Sequence, residues 1–232
     1  MQAEKKKLQV LCLHGYHQNK DIFRQKIGSF RKPLKKYADF HFIDAPHLLH
    51  GAHSQEGSLD SAYNTKTSED ISADGRGWWL KHALDEESDG LQESLNHFER
   101  TLEDNGPFDG VVGFSQGAAF LALACILLRD KLYHSSVKFA IFVAGFKSQI
   151  PFHSKYYQIE AKLIIPSLHV IGDTDEVISS NRSRELIELF ENSQLVSHPG
   201  GHYVPATKDL RDVYKQFIEK FINKPPQDVQ TV

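Results

Sequence analysis

A mostly parallel β-sheet covered by helices on both faces is predicted for this chain by two observations. Short β-rich apolar runs alternate with longer segments of helical period along nearly the whole sequence. The composition, 40% hydrophobic and 25% charged over 232 residues, is that of a globular chain of one large domain or two small ones. With right-handed crossovers, such a sheet carries its functional residues along the edge where the strands end.

The elements follow in order. Leu8–Leu13 (LQVLCL) is the first strand. Asp21–Lys36 has Phe23, Ile27 and Phe30 or Leu34 at helical spacing, with Pro33 expected to kink or interrupt it. Phe40–Asp44 is a strand stopped by Ala45-Pro46. Leu91, Leu95, Phe98 and Leu102 make one apolar stripe on a helix that ends at Asn105-Gly106-Pro107. Asp109–Phe114 is a strand, and Gln116–Arg129 an almost wholly apolar and therefore buried helix. Strands at Phe139–Ala144 and Leu168–Gly172 precede a helix near Asn181–Glu191. A short strand, Leu195–His198, and a helix, Leu210–Ile222, with Val213, Phe217 and Phe221 on one face, close the domain. Residues 1–222 are thus expected to form a single domain, and the polar, proline-containing 223–232 a frayed tail. Pro46–Arg76 lacks periodicity and is expected to be a loop insertion lying over the site edge.

Several function classes lose support at once. A formal charge of −3 argues against a nucleic-acid binder driven by bulk positive charge. Two cysteines exclude a disulfide scaffold and a cysteine-based zinc site; Cys12 and Cys125 sit in apolar runs and read as buried free thiols. The apolar run after the first lysines is too short for a signal peptide, and no stretch is long enough for a membrane span, so the expected location is the cytoplasm. Glu4–Lys7 reads as a solvated run, and no glycine-rich phosphate loop occurs.

Gly113-Phe114-Ser115-Gln116-Gly117 has the pattern G-x-S-x-G. Three fixed residues alone are a weak signal, compatible with a glycine-rich turn on which Ser115 merely caps a helix. Its placement between a strand and a helix is what a nucleophilic serine requires, because the tight turn lifts the hydroxyl clear at a helix N-terminus. A serine needs a base. His202, in a loop with Gly200-Gly201 after the last strand, is the best candidate; His198 ends the strand and points into packing. The base needs an orienting carboxylate, and both Asp173 and Asp175 follow the strand Leu168–Gly172. Asp175 is favoured, because Asp173 is placed to pin its own turn as an Asx motif. The order Ser115, Asp175, His202 is that of α/β-hydrolases. Oxyanion donors are expected at the backbone N–H of Gln116 and of Tyr16, in the loop after the first strand, with His17 as the alternative to Tyr16.

The motifs LCLHGYHQN, GPFDGVVGFSQGAA, LHVIGDTDEVI and HPGGHYVP resemble the FSH family of serine hydrolases, in particular its animal ovarian-cancer-associated esterase branch, over about Leu8 to Phe221. The resemblance implies an α/β-hydrolase fold, charge-relay roles for Ser115, Asp175 and His202, and hydrolysis of carboxylic esters, with straight-chain acyl esters as the class. The expected partner is a small-molecule ester, with no metal or organic cofactor. A thioesterase with the same triad, and a silent hydrolase-fold binding protein, are the rival readings. Trp78 and Trp79 are expected either to line an acyl pocket or to pack at a helix start. Phe114 and Phe120 read as core, and His47, His50 and His53 as a solvated loop rather than a metal site.

Overall fold

The computed structural model describes residues 6–49, 74–80 and 85–222. Strand β1 (Leu8–Leu13) leads through helices α1 (Lys20–Lys26) and α2 (Gly28–Leu34) to β2 (Ala38–Ile43). The two-residue strands β3 (His47–Leu48) and β4 (Arg76–Gly77) pair antiparallel, so the two ends of the aperiodic stretch lie side by side. Residues 50–73, with His50 and His53, are outside the described part, as is 223–232. Helix α3 (Leu91–Asn105), β5 (Gly110–Phe114), α4 (Gln116–Leu127), α5 (Arg129–Tyr133) and β6 (Phe139–Val143) follow. A 3-10 helix (Pro151–Tyr157), β7 (Ser167–Gly172), α6 (Ser180–Ile187), β8 (Ser193–His198) and α7 (Lys208–Glu219) complete the chain.

The main sheet has the order β2-β1-β5-β6-β7-β8, and every pairing in it is parallel. Burial explains the direction. Val111, Val112 and all of β6 are inaccessible on both faces, which only covering helices on both sides permit. Phe30 of α2 meets Tyr214 of α7, and Phe139 of β6 meets Phe217 and Phe221, in one layer. Phe142, three residues along β6 and so on the other face, meets Phe190 beyond α6. Phe98 of α3 meets Phe120 of α4. The apolar face of α7 is wider than the spacing predicts: Leu210, Tyr214, Phe217 and Ile218 are buried, whereas Val213 is only partly so. Cys12 and Cys125 are buried free thiols, and burial pushes the Cys125 thiol up to about 12.

The helix expected over Asp21–Lys36 is broken, but not at Pro33. It breaks at Ile27 (φ −91, ψ 20), ahead of Gly28. Glycine is the poorest helix former after proline, and the break lets Phe23, Ile27, Phe30 and Leu34 all reach the core. Pro33 sits in the last turn of α2, which ends one residue later at Leu34.

Candidate active site

Four strand ends meet along one edge of the sheet. Sequence-adjacent crossovers run to opposite sides of β1 and β5, so the crevice beyond their C-terminal ends is the topological switch point. The loop after β1 carries His14–Asn19, the turn after β5 carries Ser115, the turn after β7 carries Asp175 and the loop after β8 carries His202.

Ser115 has φ 52 and ψ −119, a left-handed strained conformation for a residue with a Cβ. Its N–H donates to the Val143 carbonyl at 2.9 Å, and its carbonyl accepts from Ala118 and Ala119, both at 3.0 Å. The flanking glycines permit the turn. A Cβ on Gly113 would stand 2.6 Å from the Ala118 Cα, and one on Gly117 would stand 2.5 Å from the carbonyl oxygens of Leu13 and His14. Ser115 makes no side-chain cap bond to α4, so it is not a helix-capping serine. Its Oγ lies instead 2.9 Å from His202 Nε2.

His202 Nδ1 lies 2.7 Å from Asp175 Oδ2. The other carboxylate oxygen, Oδ1, accepts the main-chain N–H groups of Val177 (2.9 Å) and Ile178 (2.8 Å). The Asx turn expected of Asp173 is therefore built by Asp175, and Asp173 is exposed. The Asp175 side chain is 1% exposed and that of His202 13%, so the imidazole is the one member of the pair within reach of solvent. The Phe114 ring leans on the imidazole at 4.9 Å. His198 is packed, as expected: it accepts the Gly200 N–H, lies against Tyr203, and burial lowers its pKa.

Gln116 opens α4, so no residue of its own helix accepts its main-chain N–H. In the loop after β1, the His17 N–H donates to the Arg76 carbonyl at 3.0 Å, so it is already committed to a main-chain partner. His14 anchors the start of that loop. Its Nε2 accepts the Ala45 N–H at 3.0 Å and its Nδ1, which therefore carries the proton, donates to the Gly15 carbonyl at 2.7 Å. Burial lowers the His14 pKa to about 4, so the ring is neutral.

The two tryptophans take the packing alternative. Trp78 is fully inaccessible and stacks on Phe120 at 4.5 Å, and Trp79 is 3% exposed with its ring against His153. Neither ring lines an open groove, since a ring sealed in the core has no surface to offer an acyl chain; the next helix among the described residues, α3, begins only at Leu91. Phe114 and Phe120 are core, as expected.

Two features went unread in the sequence. The Gln116 side chain holds the Trp78-Trp79 main chain, and a buried chain of polar groups runs from Ser148 Oγ to His153 Nδ1 (2.8 Å) and from His153 Nε2 to Asp89 Oδ2 (2.5 Å). The usable signals were a polar Gln in an otherwise apolar helix and the Asp89-Gly90 pair before α3, where Asp89 accepts the Leu91 N–H. Among the described residues no group of three or more His, Cys, Asp or Glu side chains is arranged to hold a metal ion, and no helix is long and apolar enough to cross a membrane.

A parallel sheet of this strand order, with a serine on a strained strand-to-helix turn at its switch point, defines an α/β-hydrolase. Solved structures agree on the fold: the esterase PE8 matches with a TM-score of 0.63 and 22% identity, over 95% of this chain and 96% of that one. SOBER1 of Arabidopsis thaliana matches with a TM-score of 0.62 and 17% identity, over 94% of this chain and 100% of that one. The family model described as serine hydrolase (FSH1) matches residues 1–214. The chain is 41% identical to the esterase OVCA2 of Danio rerio, over 92% of its own length and 97% of the relative's. It is 36% identical to the esterase OVCA2 of Homo sapiens, over 94% and 99%. The chain belongs to the FSH1 family of serine hydrolases.

Proposed function

We propose that this protein is a carboxylesterase that cleaves straight-chain acyl esters through a serine acyl-enzyme. The observation that carries the reading is the in-line pair of contacts, Ser115 Oγ to His202 Nε2 at 2.9 Å and His202 Nδ1 to Asp175 Oδ2 at 2.7 Å. The relatives named as esterases support ester hydrolysis.

His202 takes the Ser115 proton as Oγ attacks the ester carbonyl. Asp175, already held by the Val177 and Ile178 N–H groups, keeps the proton on Nδ1 and stabilises the imidazolium. The N–H groups of Gln116 and Tyr16 hold the tetrahedral oxyanion; that of His17 is given to Arg76. His202 returns its proton to the departing alcohol, then activates a water that releases the acid.

The test is turnover of p-nitrophenyl esters from acetate to palmitate, together with labelling by a fluorophosphonate. Wild-type protein should turn over the series and label at one site, and Ser115→Ala should lose both while keeping its circular dichroism spectrum. Labelling that persists in Ser115→Ala would mean that another residue is the nucleophile.

A further inference from the structure

The two proposed oxyanion donors belong to different elements: Tyr16 to the loop after β1, and Gln116 to the first turn of α4. Their separation has to be held by something that touches both. We infer that the Gln116 side-chain amide and the Trp78 indole are positioning residues that strap these two elements together; the inference rests on the esterase reading above.

The strap is the segment 75–79. At one end it is bonded to the loop after β1 in both directions, His17 N–H to the Arg76 carbonyl (3.0 Å) and Arg76 N–H to the Gln18 carbonyl (2.8 Å). Gly77 passes beneath the Tyr16 ring, where a Cβ would stand 3.1 Å from Cε2. The Trp78 Nε1–H then donates to the carbonyl of His14, two residues before Tyr16, at 2.9 Å. At the other end Gln116 closes a two-bond clamp: its Oε1 accepts the Trp78 N–H at 2.9 Å and its Nε2 donates to the Trp79 carbonyl at 3.1 Å. The far side is pinned by Ser94 Oγ donating to the Trp78 carbonyl (2.6 Å) and by Leu80 N–H donating to the Asp89 carbonyl (2.7 Å).

Packing alone does not call for these polar atoms. The rest of α4 from Gly117 to Cys125 is apolar and buried, and Gln116 is 1% exposed. A buried amide is unfavourable unless both of its ends are bonded, and here both bonds are spent on the strap. A phenyl ring would stack on Phe120 as an indole does; what the indole adds is the donor to His14. The strained turn at Ser115 and the strap thus approach the first turn of α4 from its two sides, and a donor displaced by about 1 Å is enough to cost on the order of 100-fold in rate.

The experiment uses the full chain and three variants: Trp78→Phe, which keeps the stacking; Gln116→Met, which keeps the main-chain N–H and the shape; and the double variant. Each is read by kcat and KM on one p-nitrophenyl ester, by the inhibition constant of a trifluoromethyl ketone, and by the pH profile. We expect kcat to fall about 10–100-fold with KM within about twofold, since the loss lies in the transition state. The inhibition constant should rise in step with the fall in kcat, because the hemiketal oxygen uses the same donors. The pH midpoint should not move, since the Ser115–His202–Asp175 contacts are untouched. The double variant should lose no more than the worse single one, as expected of residues acting through one unit. Should Gln116→Met not fold, Trp78→Phe, which removes only the donor to His14, carries the same readouts. Folded variants that differ from wild type only in melting temperature, or whose loss lies wholly in KM, overturn the inference. Turnover that survives Ser115→Ala overturns the esterase reading itself, and the strap with it.

Discussion

At the residue scale, Asp175 divides its work between two oxygens. Oδ1 holds the turn through Val177 and Ile178, and Oδ2 faces the imidazole of His202. Asp175→Asn leaves an amide oxygen able to accept the two main-chain N–H groups, so the turn should persist. The side-chain nitrogen then faces Nδ1 and favours the wrong tautomer. We expect kcat/KM to fall about 10³–10⁴-fold with an unchanged circular dichroism spectrum, measured on a p-nitrophenyl ester. Ser115 and His202 were legible because glycines bracket one and precede the other at strand ends. The choice between Asp173 and Asp175 was legible only in part: the Asx turn expected of Asp173 belongs to Asp175 and is compatible with facing the base. The Gln116 clamp was legible only as a polar residue opening an apolar helix; its partners, main-chain atoms of a segment 38 residues earlier in the chain, were not.

Glycine at the two positions flanking Ser115 belongs to the scale of the element, since what it decides is how closely α4 approaches β1 and β5. The Gly117 Cα faces the carbonyls of Leu13 and His14, and a methyl group there would stand 2.5 Å from both oxygens. Backbone cannot yield as a flexible side chain does. Gly117→Ala should therefore destabilise the fold by about 1–3 kcal/mol in urea denaturation, and lower turnover by moving the Gln116 N–H. Helix α3 and strand β1 match the expected bounds, because a proline-terminated apolar stripe and an apolar run after lysines mark them locally. The broken helix α1–α2 does not match. Helical spacing was present on both sides of Gly28, and only the demand of the core for all four apolar side chains placed the break. The 3-10 helix at Pro151–Tyr157 gave no periodic signal; it is held by His153, which reaches Asp89 across the molecule.

Two histidines link the whole molecule to pH. His14 and His169 are buried neutral, and burial lowers their pKa values from 6.5 to about 4 and about 3. His169 lies flat against Phe142 and bonds Ser167 Oγ, where a second proton has no acceptor of opposite charge. Between these values and 6.5 the unfolded chain binds protons that the folded chain does not, so stability is complete above pH 6.5 and is lost as the pH falls. For His14 the loss should approach about 3 kcal/mol by pH 4, and denaturant midpoints taken from pH 7 to pH 4 should decline accordingly. His14→Gln should flatten part of that decline; an equal decline in the variant would assign it elsewhere. By itself, the sequence determined the fold class, the order of the elements and the identity of the nucleophile, imidazole and carboxylate candidates, since each is written in local pattern: apolar period, turn residues, and chemistry at strand ends. Tertiary structure alone decided that Trp78 and Trp79 face the core, where α1–α2 breaks, and how the loop after β1 is tied to α4. Those outcomes depend on which main-chain groups meet across the sheet edge, and a hydrogen bond between atoms distant in the chain leaves no periodicity to read.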